Sequence, residues 1–151
     1  MGGSGEKNAK WLTGIEVVEK AAQGFYEQQG WGPSFVVPTR SLFYVPELRE
    51  EFSVGTVLDL RCVAFAGNRG ISSVDVSLDG GATWQPTEID YAGIELTWSL
   101  WSYDWRPTQP GEYTLVVRAT DGTGELQTDV KRGIIAEGAT GLHSVKAQFV
   151  A

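Results

Sequence analysis

The chain has 151 residues and a formal net charge of −7, a size at which one domain can bury a core without cross-links. Its single cysteine excludes an internal disulfide, and its single histidine excludes a multi-histidine metal site. No basic stripe indicates a nucleic-acid partner, and no apolar run approaches the roughly 18 residues of a membrane span.

Residues 1–9 differ in character from the rest of the chain. They begin Met-Gly-Gly-Ser-Gly and lack both the basic start and the apolar segment of a signal peptide. We interpret residues 1–9 as a flexible leader of the kind that cloning adds. We interpret residues 10–151 as a single domain with an extended N-terminal segment. The residues themselves do not indicate a cellular compartment.

Short segments with alternating polar and apolar residues follow one another along the domain. Turns rich in glycine, proline or aspartate separate them about every ten residues, which is typical of an antiparallel β-sandwich. A helix over residues 17–29 is the competing interpretation there, but Gly24 and Gly30 interrupt it, so we expect a short turn. Strands or extended segments are predicted over residues 10–19, 35–45, 56–66, 71–78, 84–91, 95–106, 113–119 and 142–150.

The most distinctive local feature is the hairpin at Asp79-Gly80-Gly81. Two glycines after an aspartate can adopt the positive φ angles of a tight turn. The Asp79 carboxylate is expected to accept hydrogen bonds from nearby backbone N–H groups rather than to act as an acid or base. Trp84 follows the turn, and we expect it to anchor the core.

Residues 95–106 form a strand pattern with aromatic side chains on both faces. This indicates the core on one side and a covered or interfacial surface on the other. A platform that binds sugars is the alternative interpretation of the same stripe. One predicted face carries Trp98, Leu100 and Ser102, and the other carries Trp101, Tyr103 and Trp105.

A search for catalytic chemistry finds little. Cys62 lies in a core-like strand pattern and is expected to be a buried thiol. His143 stands beside Ser144, but nothing in the sequence resembles a nucleophile elbow. The glycine-rich turns do not precede helices, so they do not indicate a phosphate site. The residues alone therefore predict a non-catalytic binding or structural module.

Several motifs extend along nearly the whole chain and together resemble a known family. They are Lys10-Trp11-Leu12-Thr13, Pro38-Thr39-Arg40-Ser41, Arg69-Gly70-Ile71, Ser77-Leu78-Asp79-Gly80-Gly81, the Trp-rich residues 98–105, Arg118-Ala119-Thr120-Asp121 with Gln127, and Gly138-Ala139-Thr140-Gly141 with His143. This set resembles the C-terminal dimerisation domain of the sulfite oxidase family of molybdenum-cofactor oxidoreductases. The hairpin alone also resembles the Asp-box of sialidase-like propellers, but a propeller needs several copies and this chain holds one.

The resemblance implies an immunoglobulin-like, all-β antiparallel sandwich that pairs two subunits as a homodimer. It also implies that the molybdopterin, and the cysteine that ligates molybdenum, belong to a separate N-terminal domain. On this basis the chain is not itself an enzyme and has no cofactor of its own, and its partners are a second copy and the parent's molybdopterin domain. For localisation, the resemblance alone suggests a bacterial parent in the periplasm or at the membrane.

Two points about individual residues remain open at this stage. In some family members an arginine reaches the anionic substrate, in a segment that resembles Arg132-Gly133-Ile134. The alternative is an exposed loop arginine. The chain also departs from the family at Gly14 and Leu142, and it has unusually apolar stretches. A second hypothesis is therefore an engineered scaffold with a rebuilt apolar surface. As interface candidates we name Phe43, Tyr44, Trp101, Ile134 and Ile135.

Overall fold

The computed structural model describes residues 11–20, 22–32, 36–45, 51–133, 135 and 138–151. The predicted leader and Ile134 lie outside the described residues. The described chain is built almost entirely from strands, as the turn spacing predicts. The strands are β1 (Arg40–Val45), β2 (Glu51–Ser53), β3 (Leu58–Phe65), β4 (Ile71–Ser77), β5 (Gln85–Pro86), β6 (Glu88–Tyr91), β7 (Ser99–Trp105), β8 (Gly111–Asp121) and β9 (His143–Val150).

The strands form two sheets. One has four strands in the order β1-β3-β7-β6, and the other has five in the order β2-β9-β8-β4-β5. The described pairings are antiparallel except for that of β2 with β9. The fold class predicted from the sequence, an all-β antiparallel sandwich, is therefore confirmed.

The core lies between the two sheets and follows the alternation of the strands. In β3 the buried residues are Leu58, Leu60, Cys62 and Ala64, every second position, as a half-buried strand requires. Each sheet supplies about half of the cluster. Its buried members are Phe43, Leu58, Leu60, Cys62, Ala64, Val74, Val76, Trp101, Trp105, Leu115, Val117, Ala119, Val145, Ala147 and Phe149.

The N-terminal part of the domain differs from the prediction. Residues 11–18 form no strand and are exposed throughout. The reason is that no described residue pairs with this segment, and alternation alone does not make a strand without a neighbour. Among the described residues between 17 and 29, the one helix is α1 (Phe25–Gln28), a single turn, in agreement with the predicted short turn. Within the described residues no helix has the length and apolar character of a membrane span.

Candidate functional site

Several of the hydrogen bonds that hold the Asp79-Gly80-Gly81 hairpin converge on the Asp79 carboxylate. The backbone N–H groups of Ala82 and Thr83 donate to Asp79 Oδ1 at 3.0 and 2.9 Å, and the Thr83 hydroxyl donates to Oδ2 at 2.6 Å. The two glycines have φ angles of +79° and +101°, which side chains strongly disfavour. The turn thus forms because its residues supply both the backbone freedom and the acceptor.

These hydrogen bonds also determine the chemistry of Asp79. Donation by the Thr83 side chain, then by its backbone N–H and by Ser77, lowers the pKa of Asp79 to about 2. An ionised carboxylate with so low a pKa neither holds a proton to donate near neutral pH nor accepts one readily. Its place in the structure is that of a turn acceptor at an exposed position.

Trp84 does not anchor the core, contrary to our prediction. It is half-buried and lies outside the cluster between the sheets. The guanidinium of Arg118 lies 4.1 Å from its ring centroid, and Arg118 Nε donates to Asp75 Oδ2 at 3.0 Å. The hairpin carries the ring onto the outer face of the five-stranded sheet, where it borders an open groove of about 600 Å³. The core is instead anchored by Trp101, which is 1% exposed.

Asp121 belongs to a part-buried ion pair that the sequence analysis did not find. Arg69 Nε donates to Asp121 Oδ2 at 2.7 Å, and the Thr123 hydroxyl and backbone N–H donate to Oδ1 at 2.6 and 2.9 Å. Burial alone would raise the pKa of Asp121, but the hydrogen bonds from Thr123 and Arg69 outweigh it and hold the pKa well below the usual range. The motif residues Arg69 and Asp121 thus join the turn before β4 to the end of β8.

Gln127 connects three further parts of the fold. Its Oε1 accepts from the Ser41 hydroxyl at 2.8 Å and from the Ala119 N–H at 3.2 Å, and its Nε2 donates to the Gly141 carbonyl at 2.9 Å. Gln127 is 5% exposed, so its amide groups need such partners. The Arg-Ala-x-Asp…Gln motif singled out Gln127 in the sequence. Only the structure shows that Gln127 connects Ser41, Ala119 and Gly141.

The described residues do not fit a molybdenum ligand set. Cys62 is buried, and burial raises the pKa of its thiol to about 12, so the thiolate that a metal requires is disfavoured. His143 Nδ1 accepts the N–H of Phe43 at 3.1 Å. No group of three or more His, Cys, Asp or Glu side chains with metal-site geometry occurs among the described residues.

Two of the predicted interface residues belong to the core instead. Phe43 and Trp101 are 8% and 1% exposed and pack edge to face with centroids 5.8 Å apart. The alternation in β1 and β7 turns both inward, so the apolar surface proposed for an engineered scaffold is not formed by these residues. The burial of Trp101 and Trp105 likewise removes them from any sugar-binding platform. Tyr44 and Ile135 are exposed.

The outer side of the four-stranded sheet carries an apolar surface that we call the apolar face. The sequence predicted one covered or interfacial face for residues 95–106, but its interface candidate there was Trp101, which lies on the opposite, buried face from Leu100. The members of the apolar face become visible only when β1, β3, β6 and β7 are placed side by side. The apolar face consists of Leu42, Val63, Phe65, Tyr91, Trp98 and Leu100.

Arg132 lies on an exposed stretch before β9. It forms an isolated antiparallel bridge with Thr140, and its Nε donates to the Gly138 carbonyl at 3.2 Å. Two reciprocal backbone hydrogen bonds with Thr140 hold the backbone of Arg132 in place. The described residues place no substrate pocket around it, so its predicted contact with an anion stays a prediction.

Comparison with known proteins gives a consistent family. The model of the Mo-co oxidoreductase dimerisation domain matches residues 34–136. Mitochondrial sulfite oxidase of Homo sapiens is 28% identical over 150 residues, covering 83% of this chain and 27% of its own length. The sulfite oxidase of Arabidopsis thaliana is 30% identical over 97 residues, covering 53% of this chain and 25% of its own length.

A solved structure agrees with these relatives. The sulfane dehydrogenase SoxCD from Paracoccus pantotrophus superposes with a TM-score of 0.62 at 26% identity, covering 74% of this chain and 30% of that one. The chain thus spans about a quarter to a third of the length of the proteins it matches. Because the family model matches well over half of the residues, the chain belongs to the Mo-co oxidoreductase dimerisation domain family.

Proposed function

We propose that this chain is the non-catalytic domain that pairs two subunits of a sulfite-oxidase-like molybdenum oxidoreductase. The molybdopterin and its cysteine ligand then belong to a part of the parent outside this chain. The observation that carries the proposal is the family match over residues 34–136, which begins before β1 and extends beyond β8. It therefore covers most of both sheets.

The chemistry of the described polar groups supports a structural role. Asp79 accepts hydrogen bonds within its own turn, and Asp121 accepts one from Arg69. His143 accepts one from a backbone N–H. Each of these hydrogen bonds positions a strand or a turn. A catalytic group would instead need a free atom aimed at a substrate.

The test is the mass of the chain in solution. We expect sedimentation equilibrium at micromolar concentration to give twice the monomer mass, since a stable pair buries about 1,200–2,000 Å² in total. A mass of one monomer up to about 100 µM would contradict the proposal, because any dimer would then be weaker than about 100 µM in Kd.

Metal content gives an independent test. The chain purified from a host that makes molybdenum cofactor should contain no stoichiometric molybdenum by mass spectrometry of the metal. Stoichiometric molybdenum would show that this chain holds the cofactor and would contradict a non-catalytic role.

The proposal includes a contact of Arg132 with the anionic substrate of the parent. Two observations support this role: Arg132 is exposed, and the bridge with Thr140 holds its backbone in place. In the longer protein, Arg132→Gln should raise KM for the anion and leave the dimer mass unchanged. An unchanged KM would assign Arg132 to the surface only.

A further inference from the structure

The apolar face forms one continuous row across its sheet. Leu42 is opposite Val63, Val63 is opposite Leu100, and Leu100 is opposite Tyr91, so all four strands contribute. Beside the middle of this row, two residues from Val63 and Leu100 along the chain, Phe65 and Trp98 pack with their ring centroids 5.3 Å apart. Leu42, Tyr91, Trp98 and Leu100 are between 37% and 49% exposed.

The outer side of the five-stranded sheet has a different character. Its strands present charged pairs, with Lys146 Nζ 2.7 Å from Glu112 Oε1 and Arg118 Nε 3.0 Å from Asp75 Oδ2. Such pairs are typical of a solvated surface. The groove beside Trp84 on this side is lined by polar and charged as well as apolar residues. The apolar face, by contrast, is a contiguous surface without a charged member, and such surfaces mark contact sites.

The edges of the four-stranded sheet argue for contact through its face. The pairing of β1 with β3 shifts register between Phe43 and Val45, and that of β6 with β7 shifts between Ile89 and Tyr91. Irregularities in both edge strands disfavour addition of a further strand at either edge. A partner is therefore expected to pack on the sheet rather than beside it.

We propose that the apolar face is the surface through which two copies of this chain pair, sheet against sheet about a two-fold axis. This inference rests on the proposed function, since membership of a dimerisation domain family makes a second copy the partner. A two-fold contact needs a self-complementary surface. An uncharged row of aliphatic and aromatic side chains meets that need without any matching of charges.

The charges at the border of the apolar face predict how pairing depends on salt. Asp59 and Asp104 are opposite each other at the far end of β3 and β7, and Arg61 Nε lies 2.6 Å from Asp59 Oδ2. With a net charge of −7 on each copy, long-range repulsion opposes pairing and is screened by salt. The apolar contact should therefore hold or tighten when NaCl is raised from about 0.1 to 0.5 M.

The experiment compares matched variants by sedimentation equilibrium. Leu100→Glu places a charge at the centre of the row, where the side chain is 45% exposed. Val150→Glu is the control, because Val150 is a strand residue of the five-stranded sheet, outside the apolar face, and is 39% exposed. Circular dichroism verifies that each variant folds. If Leu100→Glu does not fold, Tyr91→Glu in the edge strand β6 replaces it in the same comparison.

We expect Leu100→Glu to weaken the dimer at least about tenfold and Val150→Glu to leave Kd within about twofold. A dimer unaffected by Leu100→Glu and Tyr91→Glu would overturn the assignment of the face while leaving pairing itself intact. Loss of the dimer in Val150→Glu, or dissociation of the unmodified dimer by salt, would place the contact elsewhere. A monomeric unmodified chain would instead contradict the proposed function.

Discussion

At the scale of single residues, Trp84 and Trp101 are the same amino acid in two different environments. Trp101 is 1% exposed and packs on Phe43 between the sheets, whereas Trp84 lies half-buried beneath Arg118 on the outer side. Tertiary placement, rather than side-chain size, decides what each ring contributes to stability.

The first prediction compares the loss of each ring. Trp101→Ala should lower the free energy of unfolding by about 3–5 kcal/mol, because it leaves a cavity in the core. Trp84→Ala should cost only about 1–2 kcal/mol, since it removes partial burial and an exposed cation–π contact. Urea unfolding followed by circular dichroism measures both. Equal losses would show that Trp84 supports the core after all.

The second prediction concerns the ion pair of Asp121 with Arg69. Asp121→Ala should cost about 3 kcal/mol, because the partly buried Arg69 loses its carboxylate partner. Glu112→Ala is the matched control in the exposed pair with Lys146 and should cost less than about 1 kcal/mol. Chemical denaturation measures the free energy of unfolding of both variants. A loss below about 1 kcal/mol in Asp121→Ala would mean that the Asp121–Arg69 pair contributes little to stability.

The lowered pKa of Asp121 gives this residue a pH signature as well. A carboxyl whose folded pKa lies below its ordinary value of 3.8 contributes stability above that pH and loses it as the pH falls further. Asp121→Asn should therefore flatten the acid limb of the stability curve below about pH 4. An acid limb as steep as in the unmodified chain would assign the effect to other carboxyls.

At the scale of elements, the hairpin between β4 and β5 joins backbone and side-chain requirements. Its glycines provide positive φ, Asp79 provides the acceptor, and the Gly80 N–H donates to the Thr114 carbonyl of β8 at 2.8 Å. The turn is thus tied to the neighbouring strand, which sets where Trp84 emerges.

The third prediction tests the backbone requirement at Gly81. A Cβ there would meet Trp84 at an ordinary 3.8 Å, so the cost of Gly81→Ala comes from φ +101° rather than from a clash. We expect a loss of about 1–2 kcal/mol. Gly14→Ala, which has open space and no positive φ, should be neutral. Thermal unfolding of the two variants provides the measurement, and equal Tm values would contradict the argument.

At the scale of the whole molecule, His143 links the two sheets. It belongs to β9 in the five-stranded sheet, and its Nδ1 accepts the N–H of Phe43 in β1 of the four-stranded sheet. Burial lowers the pKa of His143 below its ordinary 6.5. A protonated ring could no longer accept this hydrogen bond.

The fourth prediction follows from the sign of that shift. A group whose folded pKa is depressed contributes stability above its unfolded pKa and loses it as the pH falls. Unfolding free energy should therefore decrease as the pH falls below about 6.5. His143→Gln should remove this dependence between about pH 7.5 and 5.5. The same slope in both proteins, measured by urea unfolding, would show that His143 is not the group responsible.

Particular residues show how far the sequence could be interpreted. The alternation of Leu58, Leu60, Cys62 and Ala64 identified their shared inner face, because the two-residue period of a strand is local information. For β7 the alternation separated two faces, but both carried aromatic residues, so it could not show that the Trp101 side is the core. The side of β7 that faces the core depends on how β7 pairs with β3 and packs against the other sheet. Those segments are distant from β7 in the sequence.

The sequence by itself determined the all-β class, the positions of most strands and turns, and the family of this chain. These depend on period, turn residues and motifs, which neighbouring residues encode. Only the tertiary structure decided that Trp84 lies outside the core, that Phe43 and Trp101 lie within it, and that residues 11–18 form no strand. It also assembled the apolar face from four strands, since pairing between distant segments determines which surfaces remain exposed.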